Sequence, residues 1–106
     1  MKILYSDYFD IDLRQIYEYI SAILQNKNAA ERLVDLVFEA IDRLKDNPWL
    51  GSELPVFFNV VEKPFRRLVI GSYVLVYRIE DDAVLMNRLF YERRNYVSLL
   101  FPDVVQ

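Results

Sequence analysis

The hydrophobic pattern of this chain changes its period once, and that change limits the folds open to it. From Leu13 to Leu44 the apolar residues recur three or four positions apart, which is the spacing of amphipathic helices. From Phe65 onward they form short runs with the twofold alternation of strands, separated by turn residues. Because the helices come first and the strands follow, we expect an α+β fold.

The helical part contains two stripes. One predicts a helix from about Tyr8 to Gln25, with Ser6 and Asp7 available as caps. The other predicts a helix that ends at Asn47-Pro48. At its start, Asn28 and Glu31 have the spacing of a capping box. The two stripes therefore predict a helical hairpin. Their members are Leu13, Ile16, Tyr17, Ile20 and Leu24, then Ala30, Leu33, Val34, Val37, Ile41 and Leu44.

The strands predict a small antiparallel sheet on which this hairpin packs. A first strand covers residues 2–5, and a meander follows with strands at 65–70, 73–79 and 83–90. Residues 94–101 read as a short C-terminal helix or a further strand. The expected order is β-α-α-β-β-β, in one domain that spans residues 1–106.

A two-residue turn at Gly71-Ser72 sets the register of the meander. It pairs Ile70 with Tyr73, and pairs between the same two strands continue to Arg66 and Tyr77. Both faces are rich in apolar residues, and the helices cover only one of them. We expect the other face to form a groove that the C-terminal residues or a partner chain covers. The arginines that would edge this groove are Arg67, Arg78, Arg88 and Arg94.

Composition excludes several kinds of site. The chain has no cysteine and no histidine, which removes disulfides, thiolate metal sites and the usual general base at neutral pH. No cofactor or metal is implied. No apolar run is long enough for a membrane span, and the N-terminus does not resemble a signal peptide. We expect a cytoplasmic protein.

Charge is distributed unevenly along the chain. Residues 1–62 contain 11 acidic and 6 basic residues, whereas residues 63–94 contain 4 acidic and 7 basic residues. The basic segment 63–94 is therefore where an acidic partner would bind. The chain as a whole is acidic, with a pI near 4.9, and this low pI is not typical of a general nucleic-acid binder.

The order of these segments resembles the RelE/ParE family of type II toxins over about residues 1–100. The resemblance is carried by the runs 63–82, 84–91 and 93–96, by Asn47-Pro48 and Gly51 in the loop, and by both helices, including Asp12-Leu13, Tyr19-Ile20 and Ala29-Ala30. It implies the toxin of a bacterial toxin-antitoxin module for plasmid stabilisation, held inactive by a cognate antitoxin in a hetero-oligomer.

The family contains two mechanisms. RelE-like members are endoribonucleases that cut mRNA on the ribosome, and ParE-like members poison DNA gyrase. The nuclease members usually carry arginine directly after the tyrosine that follows the hairpin glycine, whereas this chain has Tyr73-Val74. A missing cation of this kind weakens the stabilisation of a phosphate transition state. The chain therefore resembles the ParE side more closely, which leaves enzyme activity in doubt.

Two alternatives stay open at this stage. One is a RelE-like nuclease, whose candidate catalytic residues are Arg66, Arg88, Arg94 and Tyr96. The other is a degenerate family member that only binds. For partner binding, including binding of the antitoxin, the candidate residues are Arg66, Arg67, Arg78, Arg88, Tyr91 and Arg94.

Overall fold

The computed structural model describes residues 1–54 and 64–92, and it has the predicted α+β architecture. The strands are β1 (Lys2–Tyr5), β2 (Ser52–Glu53), β3 (Phe65–Ile70), β4 (Tyr73–Ile79) and β5 (Ala83–Tyr91); the helices are α1 (Asp7–Glu18) and α2 (Lys27–Asp46), and a π-helical turn covers Tyr19–Ile23. The predicted β-α-α-β-β-β order is confirmed, with the short strand β2 added after α2. The element predicted at residues 94–101 lies outside the described residues.

The five strands form one sheet in the order β1-β5-β4-β3-β2. The two pairings of the meander, β3–β4 and β4–β5, are antiparallel, as predicted; β2 also pairs antiparallel with β3, and β1 runs parallel to β5. The parallel pairing arises because the helical hairpin carries the chain away between β1 and the meander, so β5 returns in the direction of β1. The sheet is therefore mixed.

The register predicted from the Gly71-Ser72 turn is confirmed. Ile70 pairs with Tyr73, and the pairs continue without a break to Arg66 and Tyr77. Gly71 adopts a φ of 59°, the left-handed conformation that glycine takes without strain.

The two faces of the sheet are covered differently. Toward the helices, Leu75, Tyr77, Met86 and Leu89 pack with buried residues of α2 in the main core. On the opposite face, which we call the far face, Val74, Val76 and Phe90 form a second buried cluster with Phe65 packed against it. The centre of the far face is thus buried, so the expected groove is not open there.

A β-bulge in β5 decides which face Arg88 occupies. Met86 pairs with Tyr77 and Arg88 pairs with Val76, which leaves Asn87 as the extra residue. Met86 and Arg88 are two positions apart and would share a face in a regular strand. Because of the bulge, Met86 packs in the main core while Arg88 lies on the far face.

The helix starts were partly predicted. The Ser6 side chain caps α1 by accepting a hydrogen bond from the Phe9 N–H at 3.0 Å, as its position in the sequence suggested. The predicted cap at Asn28 is wrong. Asn26 caps α2 by accepting from the Ala29 N–H at 3.1 Å, because the chain turns at Gln25, whose φ is 52°, and the helix begins directly afterwards.

No helix in the two described ranges is long and apolar enough to cross a membrane.

Candidate functional site

Arg88 is tied into the structure by Asp12 of α1. The Arg88 guanidinium donates to both carboxylate oxygens of Asp12, from Nε at 2.8 Å and from Nη2 at 3.0 Å. The backbone N–H of Leu89 donates to the same carboxylate at 2.9 Å. The hydrogen bond with Asp12 raises the pKa of Arg88 further above its ordinary value, against the opposing effect of burial. Arg88 is therefore an internal ion-pair partner.

This arrangement completes the edge of β5. Strand β1 ends at Tyr5 and pairs only with residues 83–86, so the next residues of β5 have no strand beside them on that side. The Ser6 hydroxyl donates to the Asn87 carbonyl, and the Asp12 carboxylate accepts from the Leu89 N–H. Side chains from the first turns of α1 thus replace the missing ladder bonds, which keeps these buried backbone groups paired.

Arg66 is also held by internal contacts. It lies on the helix-side face, and its Nη2 donates to the carbonyls of Trp49, at 3.2 Å, and Gly51. Its Nη1 lies 3.7 Å from the Glu53 carboxylate, and its guanidinium lies 5.2 Å from the centre of the Trp49 ring. The Arg66 side chain is only 12% exposed. Arg66 thereby anchors the loop that follows α2.

Tyr77 of β4 anchors the same loop through its hydroxyl group. Its hydroxyl donates to the Pro48 carbonyl at 2.8 Å and accepts from the Gly51 N–H at 2.9 Å. Gly51 must be small, because a Cβ there would lie 2.3 Å from the Arg67 carbonyl oxygen and 2.7 Å from the Tyr77 hydroxyl. The loop is consequently fixed at both ends, while its Trp49 side chain is exposed.

The far face brings together three of the predicted arginines. Arg67, Val76 and Arg88 stand in one row across β3, β4 and β5. Arg78 lies on the same face with its guanidinium 5.1 Å from the centre of the Phe65 ring, and it forms an ion pair with Glu80 at 2.9 Å. The remaining candidates are not in this group: Arg66 is on the other face, and Arg94 and Tyr96 lie outside the described residues.

Tyr91 lines a pocket that the sequence did not reveal. The pocket has a volume of about 600 Å³ and lies between α1 with its π-helical turn and the ends of β4 and β5. The Tyr91 and Tyr73 rings meet edge to face with centroids 5.6 Å apart. Burial, and then the nearby Tyr91 and Tyr19 hydroxyls, raise the pKa of Tyr73 above its ordinary value. The lining consists of Asp12, Gln15, Ile16, Tyr19, Ile20, Leu24, Tyr73, Leu89 and Tyr91.

The π-helical turn shapes this pocket in a way that regular helical spacing does not predict. The Leu24 N–H bonds the Tyr19 carbonyl at 3.0 Å, five residues back, and this widens the last turn of the helix. The wider turn brings Leu24 to the pocket rim beside Tyr19, next to Ile16 and Ile20, which belong to the predicted apolar stripe and also line the pocket. A π-helical turn has no reliable signature in one sequence.

In the nuclease members of the RelE/ParE family, arginine usually stands at the position that Val74 has in this chain. Here Val74 is buried in the second cluster, with 1% of its side chain exposed, and it packs with Val76 and Phe90. The far face therefore has an apolar side chain at that position and its arginines around it.

Comparison with known proteins fits this fold. The family model for the ParE toxin of the type II toxin-antitoxin system parDE matches residues 3–96. This chain belongs to the ParE toxin family. A solved structure described as the chromosomal ParDE toxin-antitoxin system from P. aeruginosa shares the fold, with a TM-score of 0.69 and 18% sequence identity over 86% of this chain and 95% of that one. Comparison with the curated proteins gave no match.

Proposed function

We propose that this ParE-family protein is the toxin of a type II module, that a cognate antitoxin neutralises it, and that its target is DNA gyrase rather than mRNA. The observation that carries the choice of target is the buried, apolar Val74 on the far face, together with Arg88 and Arg66, whose guanidinium groups are held by contacts within the chain. A nuclease of this kind needs cations placed around a scissile phosphate. Val74 offers none, and Arg66 and Arg88 are occupied by Gly51 and Asp12.

Antitoxin binding is proposed for the far face and for the pocket beside Tyr91. Arg67 is exposed on the far face, and Arg78 lies near it. The pocket beside Tyr91 provides an apolar cavity near the end of the same meander. The pocket lies on the helix side of the sheet, whereas Arg67 and Arg78 lie on the far face, so an antitoxin with an apolar segment for the pocket and a separate acidic segment for the far face would complement both features. Arg94 stays a candidate for this contact on the basis of sequence.

Expression without the antitoxin tests the proposal. The chain should stop growth and induce the DNA-damage response, and co-expression of the antitoxin encoded beside it should restore growth. Mapping of cellular RNA ends should show no new codon-specific cleavage. Such cleavage without DNA damage would support the RelE-like alternative, and unimpaired growth with a folded, expressed protein would support the degenerate binding module.

A matched pair of variants makes the RNA result decisive. Arg88→Ala and Tyr96→Phe each remove a side chain that is a candidate catalytic residue for an RNA-cleaving mechanism. If RNA ends appear and these variants abolish them while the variants still fold, the gyrase proposal is wrong.

A further inference from the structure

The outer side of β1 has an open backbone edge in the described part of the chain. In the parallel pairing with β5, the Lys2 N–H donates to the carbonyl of Asp82, in the turn before β5, at 3.2 Å, and the Ser6 N–H donates to the Met86 carbonyl of β5 at 3.0 Å. The alternation of a strand then directs the N–H and C=O groups of Ile3 and Tyr5 away from the sheet. Such an edge is a template for pairing with another strand.

Exposed apolar side chains line this edge. Leu4 is 44% exposed and Tyr5 is 48% exposed. Phe38 of α2, whose ring centre lies 6.4 Å from that of Tyr5, is also exposed. Backbone groups that need partners and exposed apolar side chains thus lie along the same edge, with Leu4 on the far face and Tyr5 and Phe38 on the helix side.

We propose that β1 pairs antiparallel with β1 of a second copy of this chain, about a twofold axis at Leu4. In this register Ile3 faces Tyr5 of the second copy, and Tyr5 faces its Ile3. Each such pair exchanges two hydrogen bonds, so all four outward groups of each strand are used. The two Leu4 side chains meet at the axis as a non-hydrogen-bonded pair. Shifted registers leave some of these groups unpaired.

The charges at the ends of β1 favour a second copy as the occupant. The strand begins with Lys2, whose ammonium lies 3.9 Å from Asp82 of the same chain, and it is followed by Asp7, which is exposed at the start of α1. The antiparallel register places the positive end of one strand beside Asp7 of the other, and does so twice because of the symmetry. A parallel pairing would instead place like charges together.

The size of this contact predicts a reversible dimer. Two paired four-residue strands with their flanking side chains form a small contact, and weak, transient interfaces lie below the about 1,200–2,000 Å² that specific, stable interfaces bury. Dimer formation should therefore depend on protein concentration.

Disulfide trapping tests the register. Because the chain has no native cysteine, only the introduced thiols can form a disulfide. In purified Leu4→Cys the two thiols face each other at the axis, where a Cα separation of about 4.5 Å permits a disulfide. Val69→Cys is the matched control, because Val69 is 51% exposed on a strand far from β1. We expect Leu4→Cys to form a covalent dimer at least tenfold faster than Val69→Cys under the same mild oxidant.

A second variant distinguishes strand pairing from non-specific hydrophobic association. Tyr5→Pro removes an outward N–H while leaving the β1–β5 ladder bonds in place. Added to Leu4→Cys in a folded protein, it should slow cross-linking of the introduced thiols by about an order of magnitude. Alone, it should shift the concentration-dependent mass measured by light scattering toward the monomer. Equal cross-linking of the two cysteine variants, or a monomer at every concentration, would overturn the proposal. So would protection of the Ile3 and Tyr5 amides from hydrogen exchange only on addition of the antitoxin.

Discussion

Asp12 and Arg88 are 76 positions apart in sequence, and their side chains form a two-point ion pair that also binds the backbone of β5. The pair attaches α1 to the part of β5 that β1 does not reach. It also uses an arginine that the sequence pattern offered as a catalytic or partner-binding residue. In this protein Arg88 therefore has a role in the fold.

Replacing Asp12 should destabilise the protein strongly. Asp12→Ala removes the acceptor for Arg88 and for the Leu89 N–H, and it leaves both near-buried donors without a partner. The free energy of unfolding should fall by about 3 kcal/mol in urea titrations. Asp10→Ala is the control, since Asp10 forms an exposed ion pair with Arg14 and its loss should cost less than about 1 kcal/mol. Equal effects would contradict the role assigned to Asp12.

The two glycines should respond differently to substitution. Gly51→Ala places a Cβ against the Arg67 carbonyl and the Tyr77 hydroxyl, so the loop must move, at a cost of about 3 kcal/mol or more. Gly71→Ala meets no atom within 4 Å, and only its positive φ opposes it, for about 1 kcal/mol. Thermal and urea unfolding of both variants measure the difference, and a larger loss at Gly71 would be inconsistent with this packing.

Tyrosine ionisation should weaken the fold at high pH. The pKa of Tyr73 is raised by burial and by its tyrosine neighbours, and the pKa of Tyr5 is raised by burial and by Asp42. The folded state therefore holds these protons more tightly than the unfolded state, so stability falls as pH rises above the unfolded value near 10. Tyr73→Phe should lose less stability between pH 9 and about 11 than the parent protein. Tyrosinate absorbance should show one fewer late-titrating group.

Reversal of charge on the far face should weaken antitoxin binding. The double variant Arg67→Glu and Arg78→Glu places acidic groups where an acidic segment is proposed to bind, so affinity should fall at least tenfold. The control, Arg14→Glu with Arg32→Glu, makes the same change of net charge on exposed positions of α1 and α2. Unchanged affinity in the first double variant, measured by calorimetry, would exclude the far face as the antitoxin surface.

The sequence allowed most of the fold to be predicted, because its signals are local. The Gly71-Ser72 turn specifies the β3–β4 register, and the apolar stripes specify which helix faces are buried. Strand β2 has only two residues and no alternation to detect, so its pairing with β3 depends on the sheet already being formed. Pairing of β1 with β5 is likewise a property of the assembled fold.

The site was harder to predict for a related reason. Alternation alone puts Arg88 on the same face as Met86, and only the bulge at Asn87 separates them. The approach of Asp12 to Arg88 depends on where β1 stops relative to β5. Arg66 is basic and lies in a strand. Nothing nearby in the sequence indicates that its guanidinium donates hydrogen bonds to two carbonyls of the preceding loop. The arginines could therefore be identified from sequence, whereas their availability could not.

The choice of gyrase over mRNA is tested most directly with purified components. DNA gyrase and supercoiled plasmid should be incubated with the toxin, with and without its antitoxin, and the linear DNA released after denaturation should be quantified. If gyrase is the target, linear DNA accumulates with toxin concentration and disappears when the antitoxin is added first. Unaltered gyrase activity, with cleavage of mRNA when the same toxin preparation is added to a translating extract, would contradict it.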